Sequence, residues 1–185
     1  HLGQDALAAN VLVYSAFWAL SVLFISMLNA VGVLVSHQYG AKNEQAIREI
    51  VSQAFFLSAL TSIAVMIILV CAPYFLNWHT QPARVVQLAY ELLRSLLWTI
   101  PGLMVWGVIQ QCLQGIGHTK FIFVSNFINI PLEILLIYCL IFGKLGLPAC
   151  GIAGVGYGLA VSFTLALAVI ITYLATSRRY KKLNL

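Results

Sequence analysis

Five apolar runs, each long enough to cross a bilayer as a helix, dominate this 185-residue chain: 8–36, 50–75, 86–113, 121–142 and 154–176. A helix rises 1.5 Å per residue, so about 20 apolar residues are needed to cover ~30 Å of hydrocarbon. The runs show no alternation of apolar and polar residues over roughly ten positions, which is the mark of a membrane strand. The sequence therefore predicts an all-α, polytopic membrane helix bundle with five transmembrane helices. Composition excludes a soluble domain, because charged residues make up 8% and hydrophobic ones 62%, against about 25% charged in soluble proteins.

Short polar connections separate the runs, and none is long enough to be a domain. An odd number of spans puts the chain ends on opposite faces. One set of connections carries Lys42, Arg48, Lys120, Arg178, Arg179, Lys181 and Lys182, and the other carries Arg84, Arg94 and Lys144. The basic bias predicts a cytoplasmic C-terminal tail. The net charge of +5 is thus read as topology and contact with anionic lipid headgroups, not nucleic-acid binding.

One ionisable residue lies deep in a span. Glu133 follows Asn129 by one helical turn and Pro131 by two residues, within 121–142. A charge at bilayer depth costs at least ~2.5 kcal/mol on insertion scales, and such groups usually face a bundle interior or a watery path. At 100° per residue, Asn126, Asn129 and Glu133 fall on one narrow face. Pro131 lacks an N–H and crowds the Phe127 carbonyl, which frees that oxygen for water, a side chain or a cation. These residues point to transport, with a polar clamp between helices as the competing reading.

Other polar groups carry less. Ser162 offers a hydroxyl to the same region, although back-bonding to its own helix is the commoner role. Tyr14, Trp18, Trp98 and Trp106 are candidate cavity aromatics, against ordinary packing, and Trp78 and Tyr74 fit an interfacial belt. Asn29, Gln110 and Gln114 are read as helix packing, and Glu91 with Arg94 as an interfacial ion pair. Gly154 and Gly158 form a GxxxG spacing for close helix approach. The four cysteines form no CxxC pair and the histidines are scattered, so no metal site is expected. No GxxxxGK[ST] or HExxH motif occurs, and Glu133 has no second buried carboxylate for acid–base chemistry, so an enzyme is not expected.

Several runs, in order, resemble the N-terminal lobe of the multidrug and toxic compound extrusion, or MATE, transporters. Leu2-Gly3-Gln4-Asp5-Ala6-Leu7-Ala8-Ala9 is similar to the entry into that family's second helix, and Gln38-Tyr39-Gly40-Ala41-Lys42 to the turn after it. Leu113-Gln114-Gly115-Ile116-Gly117-His118-Thr119-Lys120 resembles the turn between the fourth and fifth helices. Gly151-Ile152-Ala153-Gly154-Val155-Gly156-Tyr157-Gly158 resembles the start of the sixth.

The resemblance implies helices two to six of a twelve-helix secondary active exporter that moves organic, often cationic solutes by alternating access. It implies coupling to H+ or Na+ influx, with no other cofactor, and cation-site roles for Asn129 and Glu133. The family more often has Asn or Asp at the second of these positions. Asn126, Ser162, Tyr14 and Trp18 are the expected cavity-lining residues. The chain is expected to be a fragment that works with a first helix and a second lobe of the same protein. Its partners are expected to be membrane lipid and a small organic substrate, and its place the bacterial inner membrane. A passive pore subunit or a structural membrane module is the alternative.

Overall fold

The computed structural model describes residues 4–76, 82–144, 146 and 148–176. Six helices follow one another: α1 (Gln4–Gly40), α2 (Glu44–Leu76), α3 (Ala83–Leu96), α4 (Thr99–Gly115), α5 (Thr119–Phe142) and α6 (Ala153–Thr176). No strand occurs among the described residues. α1, α2, α5 and α6 are each long and apolar enough to cross a membrane, and α3 and α4, bent by 45° at their junction, are so when taken together. The five apolar runs thus become four single helices and one bent pair in a polytopic helix bundle.

The third crossing differs from expectation in one respect. A single helix over 86–113 with a kink at Pro101 and Gly102 is expected from the sequence, whereas the chain breaks at Leu97 and Trp98, a turn earlier. Pro101 is the third residue of α4, has no N–H to give the Leu97 carbonyl and crowds it sterically. The disruption therefore falls on the N-terminal side of the proline. Pro131 has no such consequence, and α5 runs through it.

Two tight reversals fix the antiparallel pairs. At the end of α1, the Asn43 N–H donates to the Gln38 carbonyl and the Lys42 N–H to that of Tyr39, with Lys42 at φ 57°. At the end of α4, the His118 N–H donates to Leu113 and the Gly117 N–H to Gln114, with Gly117 at φ 85°. Both are Schellman caps, in which a left-handed residue lets orphan helix carbonyls find donors. The next helix starts almost at once: the Asn43 side-chain oxygen accepts from the Ala46 N–H at 3.2 Å, capping α2.

The bent crossing is the hub of the bundle. Leu92 and Leu96 on α3 and Ile100, Met104 and Val108 on α4 are fully buried. α1 and α2 pack on one another and on α4, while α6 packs on α3, α4 and α5. The small residues of α6 make this possible. A Cβ on Gly154 or Gly158 would lie within 3 Å of α5 backbone atoms, and one on Gly156 within 3 Å of α3 backbone. The GxxxG pair thus faces α5 and Gly156 the opposite side. Thr99, at the start of α4, donates its hydroxyl to the Gly156 carbonyl at 3.0 Å and ties the bend to α6.

α5 lies at the edge. Asn129, Cys139 and Leu140 are its buried residues, while Phe123, Phe127, Ile130 and Ile134 are exposed. All four cysteines are free thiols. Glu91 and Arg94 are both exposed along a shallow recess on α3. Trp78 and the basic tail at 178–182 lie outside the described residues.

Candidate functional site

Asn129 is the buried polar residue of α5, at 8% exposure, and faces α6. The Ser162 hydroxyl, fully buried, donates to Asn129 Oδ1 at 3.0 Å. Ser162 therefore spends its proton across the helix interface and not on its own helix carbonyl, the commoner pattern seen at Thr164 and Thr172 on the same helix. An amide oxygen has two lone pairs, so Oδ1 keeps one after accepting from Ser162.

Beside Asn129 is a half-open recess of about 160 Å³ lined by α4, α5 and α6. Trp106, Phe121, Ile128, Leu132, Leu165 and Ile170 supply much of its apolar wall, and Asn129 and Ser125 its polar groups. Ligand pockets for drug-sized molecules run to ~300–1,000 Å³, and a water takes up about 30 Å³. In volume alone the space matches a few waters, its lining is largely apolar, and it is too small for an organic drug.

The three polar residues of α5 do not share one destination. Asn126 Oδ1 accepts from Gln110 Nε2 at 2.8 Å, a side-chain bond from α4 to α5. Asn126 thus ties helices, with Gln110 as its partner. Glu133 is half-buried, one turn beyond Asn129, and is not among the residues that wall the Asn129 cavity. The single stripe expected from helical periodicity fans out across α4, α6 and the edge of the bundle.

The aromatic residues divide as well. Tyr14 and Trp18 are half-buried on α1, their rings 6.1 Å apart in an edge-to-face arrangement, and both pack against the apolar core. Among the described residues walling the Asn129 cavity, none comes from α1, so Tyr14 and Trp18 are not brought to it in this lobe. Trp106 does wall the cavity, while Trp98 is 70% exposed at the α3–α4 break.

Sequence reading missed Gln111, whose side-chain amide bonds that of Asn29 between α1 and α4. Spacing gave no sign of it, because the two residues are 82 positions apart. Among the described residues, no group of three or more His, Cys, Asp or Glu side chains is placed to hold a metal ion.

A helix bundle with several candidate membrane spans and a polar pair buried between two of them defines the class as a polytopic α-helical membrane protein. A family model described as MatE matches residues 1–139, and the chain belongs to that family. It is 28% identical over 176 residues to a probable multidrug resistance protein NorM of Shewanella oneidensis, covering 95% of this chain and 38% of that one. The corresponding figures for a probable NorM of Listeria monocytogenes are 27%, 94% and 39%. The chain thus spans about two fifths of the length of these relatives.

The fold is also that of solved MATE structures. An inward-facing conformation of a multidrug resistance MATE family transporter matches with a TM-score of 0.85 at 20% identity, over 96% of this chain and 40% of that one. An outward-facing conformation matches with a TM-score of 0.78 at 21% identity, over 96% and 39%.

Proposed function

We propose that the chain is part of a multidrug exporter of the cell membrane that couples efflux of organic, often cationic solutes to entry of H+ or Na+ by alternating access. The observation that carries this reading is the buried Asn129–Ser162 pair, with a recess of a few waters' volume beside Asn129 and half-buried Glu133 one turn away. Ser162 holds the Asn129 amide in one orientation, so a lone pair is available without reorganisation. Glu133 supplies the exchangeable charge. Binding of the ion there and binding of solute weaken each other, which is the differential affinity that an exchanger needs to move between inward- and outward-open states.

The Asn129 recess is too small for the solute, so this lobe is assigned the coupling ion and the solute route needs a further wall. In this reading the wall comes from a first helix and a second lobe of the full-length protein, as transporter repeat architecture supplies it. The relatives described as multidrug resistance proteins support organic solutes as cargo. The basic connections support a cytoplasmic C-terminal side.

The test is efflux by reconstituted full-length protein, wild type against Glu133→Gln and Glu133→Ala at matched protein content, under an imposed H+ or Na+ gradient. Gradient-driven efflux is expected in the wild type and lost in both variants. Wild-type efflux in both variants removes the coupling role. Solute movement indifferent to either gradient favours the passive pore.

A further inference from the structure

A second recess opens between α1 and α4, away from the Asn129 cavity, with a volume of about 460 Å³. This lies within the ~300–1,000 Å³ of small-molecule sites. Asn29, Gly32 and Ser36 of α1 face Gln111, Gln114 and Gly115 of α4 around it. No described lining residue is charged, so net charge on a ligand is not what the recess selects. Its distinctive groups are three primary carboxamides gathered in a chain that is 62% hydrophobic.

Two of them, Asn29 and Gln111, are bonded side chain to side chain. Such a bond uses one amide N–H and one amide oxygen. Whichever way round the two amides lie, the partners keep an unused oxygen on one residue and an unused NH₂ on the other. A donor and an acceptor then stand next to each other at the recess wall, with Gln114 close by on the same face of α4. Asn29 is exposed and Gln111 half-buried, so these groups are open to a solute, unlike the buried Asn129 amide. The Ser36 hydroxyl is taken up by the Val33 carbonyl at 2.8 Å and acts as wall.

The backbone is shaped to allow this. A Cβ on Gly32 would stand 2.6 Å from Gln111 Oε1, and one on Gly115 2.7 Å from the Gly32 carbonyl oxygen. Glycine at position 32 leaves room for the Gln111 amide beside α1, and a larger residue would push that amide aside.

We propose that the α1/α4 recess binds solutes through a neutral carboxamide, lactam or urea group, whose adjacent acceptor and donor pair with the Asn29 and Gln111 amides. This deepens the exporter reading by naming a chemical class of cargo, and it rests on that reading only for the bound solute being cargo.

The test is equilibrium dialysis of benzamide and of N,N-dimethylbenzamide, which lacks the donor, against purified full-length protein in lipid nanodiscs, corrected with protein-free nanodiscs. The one hydrogen bond that N,N-dimethylbenzamide cannot make predicts up to roughly tenfold tighter binding of benzamide. Asn29→Leu, which removes the free donor, weakens both probes, and Gln111→Leu, which removes the free acceptor oxygen, brings the ratio to about one. Gly32→Ala does the same by displacing the Gln111 amide without removing it, and thermal unfolding of each variant identifies any that lost its fold. Equal binding of the two probes by the wild type, or a preference that survives Gln111→Leu or Gly32→Ala in a folded variant, overturns the proposal. Glu133→Gln keeps the benzamide preference while losing ion-driven efflux, so failure of the recess and failure of the coupling reading give different results.

Discussion

Ser162 and Asn129 meet across the α5–α6 interface, hydroxyl to amide oxygen at 3.0 Å, where both side chains are buried. The bond orients the amide as well as joining the helix pair.

Ser162→Ala is expected to destabilise full-length protein modestly, because side-chain bonds between membrane helices average ~0.6 kcal/mol and reach ~1.7. Its effect on coupling is expected to be larger than its effect on stability, since the Asn129 amide is then free to turn. Comparing thermal unfolding with the H+ or Na+ dependence of efflux checks this. Loss of stability with unchanged ion dependence would leave Ser162 as a helix clamp only.

Gly156→Ala is expected to be among the most damaging single-atom additions in the chain. Its Cβ would overlap Ser95 Oγ and lie 2.6 Å from the Leu96 backbone nitrogen, and overpacking of this kind typically costs about 1–3 kcal/mol. Gly40→Ala is the matched control, with nothing within 4 Å of the added atom, and is expected to be neutral or slightly stabilising through helix propensity. Melting temperatures of the two variants in one detergent read the difference.

Removing the bond between Gln110 and Asn126 tests whether Asn126 is structural. Asn126→Leu together with Gln110→Leu replaces both partners and is expected to retain most stability and ion-driven efflux, whereas either single change strands a polar group and costs about 1–3 kcal/mol if that group is sealed from water. A double-substitution cycle on unfolding measures the coupling. Efflux abolished in a stable double variant would place Asn126 in the transport path instead.

At the end of α5, Lys144 Nζ donates to the Tyr138 hydroxyl at 2.7 Å and sits 4.9 Å from the centre of its ring. The hydrogen bond to Tyr138 raises the Lys144 ammonium above its usual range. A raised folded-state value means that the stabilisation is fully present below the ordinary lysine pKa of about 10.4 and is lost as pH rises through the folded value. Wild type is therefore expected to lose its stability advantage over Tyr138→Phe only above about pH 10. The ammonium is fully exposed, so the difference is small and is best read by NMR titration of the lysine side chain. An identical titration in Tyr138→Phe would contradict it.

The five apolar runs settled the bundle before any contact was known, because a backbone in hydrocarbon must satisfy its own hydrogen bonds and a helix of ~20 apolar residues does so. Pro101 announced a kink, but its steric conflict is with the residue one turn earlier, so the helix breaks at Leu97 and Trp98. Asn129 and Glu133 were singled out by the cost of polarity at membrane depth, a property of composition along one helix. Their surroundings were not legible there. Periodicity gives a residue's angle on its own helix and says nothing about which neighbour occupies that angle. Asn126 therefore met Gln110, Asn129 met Ser162, and Asn29 met Gln111, pairs separated by 16, 33 and 82 positions. Length and hydropathy determined how many helices cross; the close approaches allowed by Gly32, Gly115 and Gly156 decided which faces meet, because only packing of the whole bundle sets how near two backbones come.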